Sequence, residues 1–387
     1  MSEKYLQRGV SAAKEDVHNA VKDLNHGLYP KAFCKIYPDL LAGDAAFCNV
    51  MSADGSGTKS ILAYLYWKET GDLSVWEGIA QDAIVMNLDD LLCVGATDHF
   101  LLTSVINRNK FNIPGEVLAS IINGTKKFID TMQQNGVTIN LMGGETADLG
   151  DIVRTVTVDA AMTARLPKSE LILTQNILPG DVIVGLSAAG QTTYETAYNS
   201  GISSNGLTSA RHDLLSKYYA EKYPETFDKQ VDQSLVYAGK SSLTDSLPNT
   251  DISVGQALLS PTRTFAPFIQ QLKKEMGAAI HAIVNNTGGA QTKVLHYIDG
   301  LHIIKDNLLP IPPIFEFIQA QSNTDWKEMF KVLNCGTRME IYLAKENAAT
   351  VVALAKSFGI DSQVIGYVEQ SETKMVTVKN TATFEYF

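Results

Sequence analysis

The sequence predicts a mixed α/β (α+β) protein made of two domains. Segments with the patterns of strands and helices alternate in both halves of the chain, an order typical of sheets covered by helices. With 387 residues, the chain is longer than a single hydrophobic core usually supports. The strongest cluster of turn-forming residues near the middle comprises Pro167, Asn176, Pro179 and Gly180. We therefore predict an N-terminal domain over residues 1–167 and a C-terminal domain over residues 168–387.

Apolar spacing defines the elements of the N-terminal half. Apolar residues that recur every three or four positions predict helices, and alternating or short continuous apolar runs predict strands. In chain order, the predicted elements are a helix over 14–28, a strand over 45–52, a helix from 61, a helix over 74–94, a strand over 98–106, a helix over 114–134, and strands over 137–142 and 152–164.

The same criteria describe the C-terminal half. They predict, in order, a strand over 181–186, a helix from 207, a helix over 260–276, a strand over 278–284, helices over 313–321 and 325–333, a strand over 338–344, a helix over 346–358, and strands over 363–368 and 374–379. Residues 217–251 are polar and show no clear period, so they carry no assignment.

Composition excludes several classes of protein. The net charge is −10 and is spread along the chain, whereas a nucleic-acid binder needs a basic surface. No apolar run approaches the ~18 residues of a membrane span. The four cysteines are widely spaced, which favours reduced thiols over a disulfide framework or a zinc site. These features predict a soluble cytoplasmic protein that binds neither nucleic acid nor membrane.

The segment Ser52-Ala-Asp-Gly-Ser-Gly-Thr-Lys-Ser60 has the chemistry of a phosphate and metal site. Gly55 and Gly57 let backbone N–H groups approach a phosphate, and the following helix start adds a positive dipole end. Asp54 can hold a hard cation, and Lys59 can neutralise phosphate. The common P-loop is excluded, because Thr58 stands where that motif has glycine. A simple strand-to-helix turn with a capping aspartate is the alternative.

Further acids lie on two other segments. Asp82, Asp89 and Asp90 lie on the predicted helix 74–94, with the last two embedded in the apolar sequence Leu88-Asp-Asp-Leu-Leu-Cys93. A buried pair of carboxylates is costly unless a cation or donors satisfy it. Glu145 follows two glycines at the predicted end of a strand, which makes it a second candidate metal ligand. Solvated surface acids are the alternative interpretation of both segments.

Three segments of the C-terminal half could bind a phosphate or another anion. Ser203-Ser-Asn-Gly206 precedes a helix, and Asn286-Thr-Gly-Gly289 forms a turn before the next one; both could instead act only as helix caps. Arg263 falls in the predicted first turn of helix 260–276, where its charge opposes the helix dipole and favours an anionic partner. A nearby carboxylate of the protein itself is the alternative partner.

Taken together, these motifs resemble those of the aminoimidazole ribonucleotide synthetase (phosphoribosylformylglycinamidine cyclo-ligase) family. The resemblance covers about residues 5–368. It rests on the following segments in this order: Asp54-Gly-Ser-Gly-Thr-Lys59, Leu88-Asp-Asp-Leu91, Gly143-Gly-Glu-Thr-Ala147, Ser204-Asn-Gly206, Pro261-Thr-Arg263, Thr287-Gly-Gly289 and Glu328-Met-Phe-Lys-Val-Leu-Asn-Cys-Gly336.

The resemblance implies two α/β domains and a homodimer whose N-terminal sheets together close a barrel. It implies an enzyme that uses ATP and Mg²⁺ to convert formylglycinamidine ribonucleotide into aminoimidazole ribonucleotide, ADP and phosphate in purine biosynthesis. Asp54, Lys59 and Asp90 would be catalytic, and Asp54, Asp90 and Glu145 would hold metal. The implied nucleotide-binding residues are Asp54, Gly55, Gly57, Thr58, Lys59, Asp82, Asp89, Asp90, Glu145 and Thr146. The implied substrate and phosphate residues are Ser204, Asn205, Gly206, Thr262, Arg263, Thr287, Gly288 and Gly289.

The chain departs from the family pattern at three places. The usual Asn-Asp pair is Asp89-Asp90, Ser203 stands where the family has a histidine, and Tyr37-Pro-Asp-Leu-Leu-Ala-Gly43 replaces a glycine-rich run. His281 is a candidate for the missing proton-handling group. The alternatives are a nucleotide-binding paralogue without catalysis, or another ATP-using relative of the selenophosphate synthetase or thiamine-monophosphate kinase type.

Overall fold

The structure is a computed structural model that describes residues 6–10, 20 and 23–387. The helix predicted over 14–28 falls largely outside the described residues, and its described end, 23–28, consists of turns, bends and irregular backbone. Across the described part of the chain, no helix is both long and apolar enough to cross a membrane. Two sheets, each packed against helices, organise the rest, so the predicted mixed α/β architecture is confirmed.

The first sheet has five strands in the order β1-β2-β5-β3-β4. Strands β3 and β4 run parallel and the other neighbours antiparallel. Helix α2 packs against β2 and β5, and α3 packs against α2. The elements are β1 (Ile36–Pro38), β2 (Phe47–Gly55), α1 (Lys59–Thr70), α2 (Val75–Leu92), β3 (Phe100–Arg108), α3 (Gly115–Gln134), β4 (Ile139–Asp148) and β5 (Val156–Pro167).

Among the described residues, helices cover one face of this sheet and leave the other uncovered. Strand residues alternate between the two faces, and β3 shows the alternation clearly, with Phe100 and Leu102 fully buried. On the opposite face, Met51, Leu101 and Val105 are 61%, 38% and 37% exposed. The outer face of the sheet therefore exposes several apolar side chains.

The second sheet has seven strands in the order β14-β13-β10-β12-β6-β11-β9. Its central strands are buried on both faces; β11, for example, has no exposed residue. The elements in this half are β6 (Val182–Ser187), β7 (Ala189–Gly190), β8 (Asn199–Ser200), α4 (Leu207–Leu214), α5 (Tyr218–Lys222), α6 (Val254–Leu259), α7 (Ala266–Met276), β9 (Ile280–Asn285), β10 (Leu301–Lys305), α8 (Pro313–Ser322), α9 (Trp326–Val332), β11 (Thr337–Leu343), α10 (Ala348–Ser357), β12 (Ser362–Gln370), β13 (Met375–Lys379) and β14 (Thr383–Tyr386).

Two local predictions were wrong, and both concern site segments. The strand predicted to end at residue 142 continues through residues 143–147 as part of β4. The two glycines lie at an irregularity in the β3–β4 register, where a Cβ on Gly144 would lie 2.5 Å from the Ser104 carbonyl oxygen. Residues 260–264 precede α7 and do not open it, because the helix begins at Ala266 with a proline in its first turn. Arg263 is therefore not at a helix N-terminus.

Residues 217–251, which carried no assignment, pack around buried aromatic side chains. Tyr219 and Tyr237 are both fully buried, and their ring centroids lie 6.2 Å apart. The Tyr219 hydroxyl accepts a hydrogen bond from the Leu243 amide at 2.8 Å. Isolated aromatic anchors of this kind carry no helical or strand period, so pattern analysis does not detect the segment.

Candidate functional site

The loop between β2 and α1 places Asp54 where segments from the two halves of the chain meet, a region here called the cleft. Asp54 lies on the same sheet face as buried Val50, because residues four apart in a strand point the same way. Its Oδ1 accepts a hydrogen bond from the Gly55 amide at 2.7 Å. Gly57 has a φ of +55°, a backbone conformation that favours glycine. Helix α1 then begins at Lys59 without a side-chain cap, so the predicted capping aspartate is absent.

Asp90, near the end of α2, lies in the same cleft. It accepts a hydrogen bond from Asn285 Nδ2 at 2.8 Å. Burial raises the pKa of Asp90 to about 6, and the negative charge of Asp54 acts in the same direction, whereas Lys293 and the Asn285 hydrogen bond oppose the shift. Two acids from distant segments therefore share one electrostatic environment. Asn285 and Lys293 complete it and were not predicted from the sequence.

The two glycine-containing segments of the C-terminal half meet in this cleft. Strand β9 ends at Asn285 and leads into the Gly288-Gly289 turn, where Gly289 has a φ of +94°. A Cβ placed on Gly288 would lie 3.9 Å from Asn205 Nδ2, just before α4. The Asp54 loop joins them, because the Thr58 and Thr208 hydroxyls are hydrogen-bonded at 2.9 Å. Three predicted motifs thus converge.

Polar atoms at this junction are left without partners. The side-chain oxygens Ser204 Oγ, Asn205 Oδ1 and Asn285 Oδ1 are buried and have no hydrogen-bond partner in the described structure. Buried polar groups are nearly always hydrogen-bonded in native proteins. Three such atoms around one cleft leave acceptor capacity there for a polar ligand or water.

Lys59 lies outside the cleft, in a fully buried ion pair. Its ammonium donates to Asp82 Oδ1 at 2.8 Å and to the Ser260 carbonyl at 2.6 Å. The same Asp82 oxygen accepts from the Thr262 amide at 2.7 Å and the Thr262 hydroxyl at 2.5 Å. Burial lowers the pKa of Lys59, and the Asp82 carboxylate counteracts that effect. The cluster joins the two halves of the chain, and this geometry does not favour the predicted phosphate contact of Lys59.

Asp89 and Arg263 also form ion pairs with other residues of the protein. Asp89 accepts from Arg338 Nη1 at 2.6 Å and from the Thr264 hydroxyl at 2.6 Å. Arg263 makes two bonds to Glu195, Nε to Oε1 at 3.0 Å and Nη2 to Oε2 at 2.6 Å. Its third nitrogen donates to the carbonyls of residues 187 and 189. The alternative partner proposed for Arg263, a carboxylate of the protein itself, is therefore the one observed, and Arg263 is buried.

The register of the first sheet separates Glu145 from the other acids. Glu145 lies opposite Val105, and Val105 lies opposite Asp159, on the exposed face. Asp54 lies opposite Ala160, whose side chain points to the helix-covered face. Thr146, one residue on, shares that covered face. Within residues 6–10, 20 and 23–387, no group of three or more histidine, cysteine or acidic residues is arranged to hold a metal.

His281 is distant from the cleft. It lies at the other end of β9 from Asn285, and its Nδ1 is 2.8 Å from Asp181 Oδ2. The structure therefore gives His281 a local acidic partner and no contact with the segments around Asp90.

Solved structures with the same fold define the class of protein. The HypE-HypF complex matches with a TM-score of 0.56 and 16% identity, covering 96% of this chain and 98% of the other. Thiamine monophosphate kinase from Aquifex aeolicus matches with a TM-score of 0.52 and 11% identity, covering 94% of each chain. At these identities the similarity establishes a shared two-domain mixed α/β fold.

Sequence comparison gives the family. Residues 42–166 match the N-terminal domain of AIR synthase related proteins, and residues 179–379 match their C-terminal domain. The chain is 30% identical over 340 residues to a phosphoribosylformylglycinamidine cyclo-ligase from Methanococcus vannielii, covering 87% of this chain and 82% of that protein. It is 28% identical over 392 residues to one from Oceanobacillus iheyensis, covering 96% and 98%. The chain belongs to the AIR synthase related family, as its motifs predicted.

Proposed function

We propose that this protein is a phosphoribosylformylglycinamidine cyclo-ligase. It would use ATP to close the imidazole ring of formylglycinamidine ribonucleotide, giving aminoimidazole ribonucleotide, ADP and phosphate for purine biosynthesis. The observation that carries the proposal is the convergence of the Asp54 loop, the Asp90–Asn285 pair and the Gly288-Gly289 turn on one cleft. Full-length relatives that carry this name support the choice of reaction.

The residues of the cleft suit Mg²⁺. Asp54 and Asp90 supply carboxylate oxygens, and Asn285 presents a buried amide oxygen without a partner. Magnesium is typically held by one or two carboxylates together with phosphate and water, so two acids suffice. When bound, the ion would neutralise charge on the transferring phosphoryl group. Glu145, on the opposite face of the sheet, does not join this set within one chain.

The remaining cleft residues would position the two phosphate-bearing substrates. The amides around Gly288 and Gly289 and the start of α4 after Gly206 can donate to phosphate oxygens. The side-chain oxygens of Asn205 and Ser204 are buried without a hydrogen-bond partner and could accept from a substrate. The formamide oxygen of the substrate must become a leaving group by accepting phosphate, after which the amidine nitrogen displaces it. Such a reaction depends mainly on alignment and charge neutralisation, which these residue types supply.

The buried pairs around α2 would act as positioning residues. Lys59, Asp82 and Thr262 link α1 and α2 to residues 260–262, and Asp89 links α2 to Arg338. Because Asp90 follows Asp89 directly, these bonds determine where Asp90 projects into the cleft.

We further propose a homodimer formed through the uncovered face of the first sheet. Met51, Leu101 and Val105 form an apolar surface there, and exposed apolar patches commonly mark interfaces. Glu145, on the same face, would then lie at the junction of two subunits. A cytoplasmic location stays a prediction; the four cysteines are free thiols, which agrees with a reducing compartment.

A coupled assay tests the reaction. Purified protein with formylglycinamidine ribonucleotide, ATP and Mg²⁺ should give equimolar ADP and aminoimidazole ribonucleotide. Binding of ATP without product, under conditions in which a known cyclo-ligase turns over, would instead identify a non-catalytic paralogue. ADP formation with thiamine monophosphate, or AMP and phosphate formation with selenide, in place of the ribonucleotide would indicate a different member of the superfamily.

A further inference from the structure

Phosphoryl transfer in the cleft needs a cation from the protein, and Lys59 is poorly placed to provide it. The Lys59 side chain has no solvent exposure, and its ammonium is held by Asp82 and the Ser260 carbonyl. Moving it to the cleft would leave the Asp82 carboxylate buried without its counter-charge, which is costly. Another positive group must therefore face the phosphate.

Lys293 has the required position. It lies on the 3₁₀ helix Ala290–His296 that follows the glycine turn. A Cβ built on Gly289 would lie 3.6 Å from Lys293 Cα and 3.8 Å from its Cδ, so the lysine side chain extends over Gly289. Among the described residues, Lys293 makes no ion pair or hydrogen bond through its ammonium. The side chain is partly exposed.

Two aromatic rings hold this ammonium beside the cleft. Lys293 Nζ lies 5.5 Å from the Phe33 ring centroid and 6.0 Å from that of Tyr297, and the two centroids are 4.9 Å apart. Cys34, next to Phe33, donates its thiol to the Asp90 carbonyl at 3.2 Å, which ties this aromatic pair to α2. Cation–π contacts orient an ammonium without neutralising its charge, and the charge of Lys293 acts on the Asp90 carboxylate in the same cleft.

We propose that Lys293 is the lysine that binds a phosphate group in this cleft, while Lys59 positions α2. The inference rests on the proposed function for the identity of the ligands. The group bound is a phosphate of ATP or the 5′-phosphate of the ribonucleotide, because both would lie near the Gly288-Gly289 turn. An aromatic-held lysine above a glycine turn suits either one, since an ammonium binds phosphate as a compact charge with several donors.

The experiment compares Lys293→Ala, Lys293→Gln and Lys293→Arg with Lys345→Ala. Lys345 also lies in a short 3₁₀ helix but follows the opposite end of β11 from the cleft. Equilibrium binding is measured by calorimetry with three probes: a non-hydrolysable ATP analogue with Mg²⁺, adenosine, and formylglycinamidine ribonucleotide alone. The thermal midpoint of each variant reports folding.

We expect Lys293→Ala and Lys293→Gln to weaken one phosphate-bearing probe by about 10- to 100-fold, the range for loss of a charged hydrogen bond. Adenosine binding should change less than about twofold, and Lys293→Arg should recover part of the loss. Weaker ATP-analogue binding assigns Lys293 to ATP, and weaker ribonucleotide binding assigns it to the substrate phosphate. Folded Lys293→Ala and Lys293→Gln variants that bind both probes like Lys345→Ala would overturn the proposal.

Turnover separates this result from the proposed function. If the wild-type protein makes no aminoimidazole ribonucleotide, the cyclo-ligase assignment fails, and the binding comparison still decides the role of Lys293. If the wild type turns over and Lys293→Ala does so equally well, the assignment stands and the role of Lys293 is refuted.

Discussion

The buried pair between Lys59 and Asp82 distinguishes a structural lysine from a phosphate-binding one. In Lys59→Ala the Asp82 carboxylate stays buried and loses its counter-charge. Removing one partner of a buried ion pair typically destabilises a protein by about 3–5 kcal/mol. Asp82 keeps the Thr262 amide and hydroxyl bonds at 2.7 and 2.5 Å, so we expect the lower end, about 3 kcal/mol. That is a large part of the roughly 5–15 kcal/mol that stabilises a typical domain.

Urea unfolding followed by tryptophan fluorescence measures this effect. The midpoint should fall sharply in Lys59→Ala and stay unchanged in Lys345→Ala, which removes the same charge from an exposed site. The double variant Lys59→Met/Asp82→Asn should recover part of the loss, because it removes both buried charges while the introduced amide oxygen can still accept from Thr262.

The opposite result would refute this reasoning. If Lys59→Ala unfolds at the wild-type urea concentration but loses ATP-analogue affinity and turnover, then Lys59 contacts phosphate, as the sequence alone predicted. The buried pair would in that case describe a state that opens when nucleotide binds.

Three further predictions concern the cleft, the sheet face and acid stability. Asp90→Asn should lower kcat by about 100-fold or more in the coupled assay, because loss of electrostatic stabilisation at a reacting centre has an effect of that size. Its thermal unfolding midpoint should stay at the wild-type value. Near-normal turnover would place the metal elsewhere. Leu101→Glu should halve the mass measured by light scattering. Leu178→Glu, which changes an apolar residue that is 53% exposed outside the sheet, should leave the mass unchanged. A Leu101→Glu protein with the wild-type dimer mass would exclude this face as the dimer contact. Burial, with Arg211 and Arg8 nearby, lowers the pKa of His212 to about 2. The neutral imidazole therefore contributes its full stabilisation of the fold above the unfolded pKa of about 6.5, and this contribution is lost as pH falls. When the pH is lowered from 7 to 5, His212→Gln should therefore lose about 2 kcal/mol less unfolding free energy than the wild type. The exposed His99→Gln variant should follow the wild type. An identical pH dependence of the unfolding free energy in all three proteins would show that His212 takes up a proton while folded.

The sequence predicted the fold best where apolar spacing was long and regular. Helices α2 and α3 begin and end within two residues of the predicted bounds. Strand β10 was missed, since Leu301–Lys305 is a run of only five residues without alternation. The predicted strand over 137–142 ended before Gly143-Gly144 because paired glycines usually mark a turn. In the structure, an irregularity in the β3–β4 register accommodates the two glycines within β4.

The candidate site was harder to predict, because burial and strand facing are tertiary properties. The sequence shows the charge of Lys59, but it does not show that the ammonium is buried and hydrogen-bonded to a carbonyl 201 residues away. Glu145 looks equivalent to Asp54 in sequence, and only the register places the two on opposite faces. Asn285 and Lys293 belong to no motif that the sequence singles out. Spacing from the glycine turn was the only available signal for Lys293, which follows Gly289 by four residues.

A structure with a non-hydrolysable ATP analogue and Mg²⁺ tests the central claim most directly. We expect a metal ion within bonding distance of Asp54 and Asp90, with the triphosphate against the Gly288-Gly289 turn. Density for the triphosphate on another surface, with these two carboxylates uncoordinated, would contradict it.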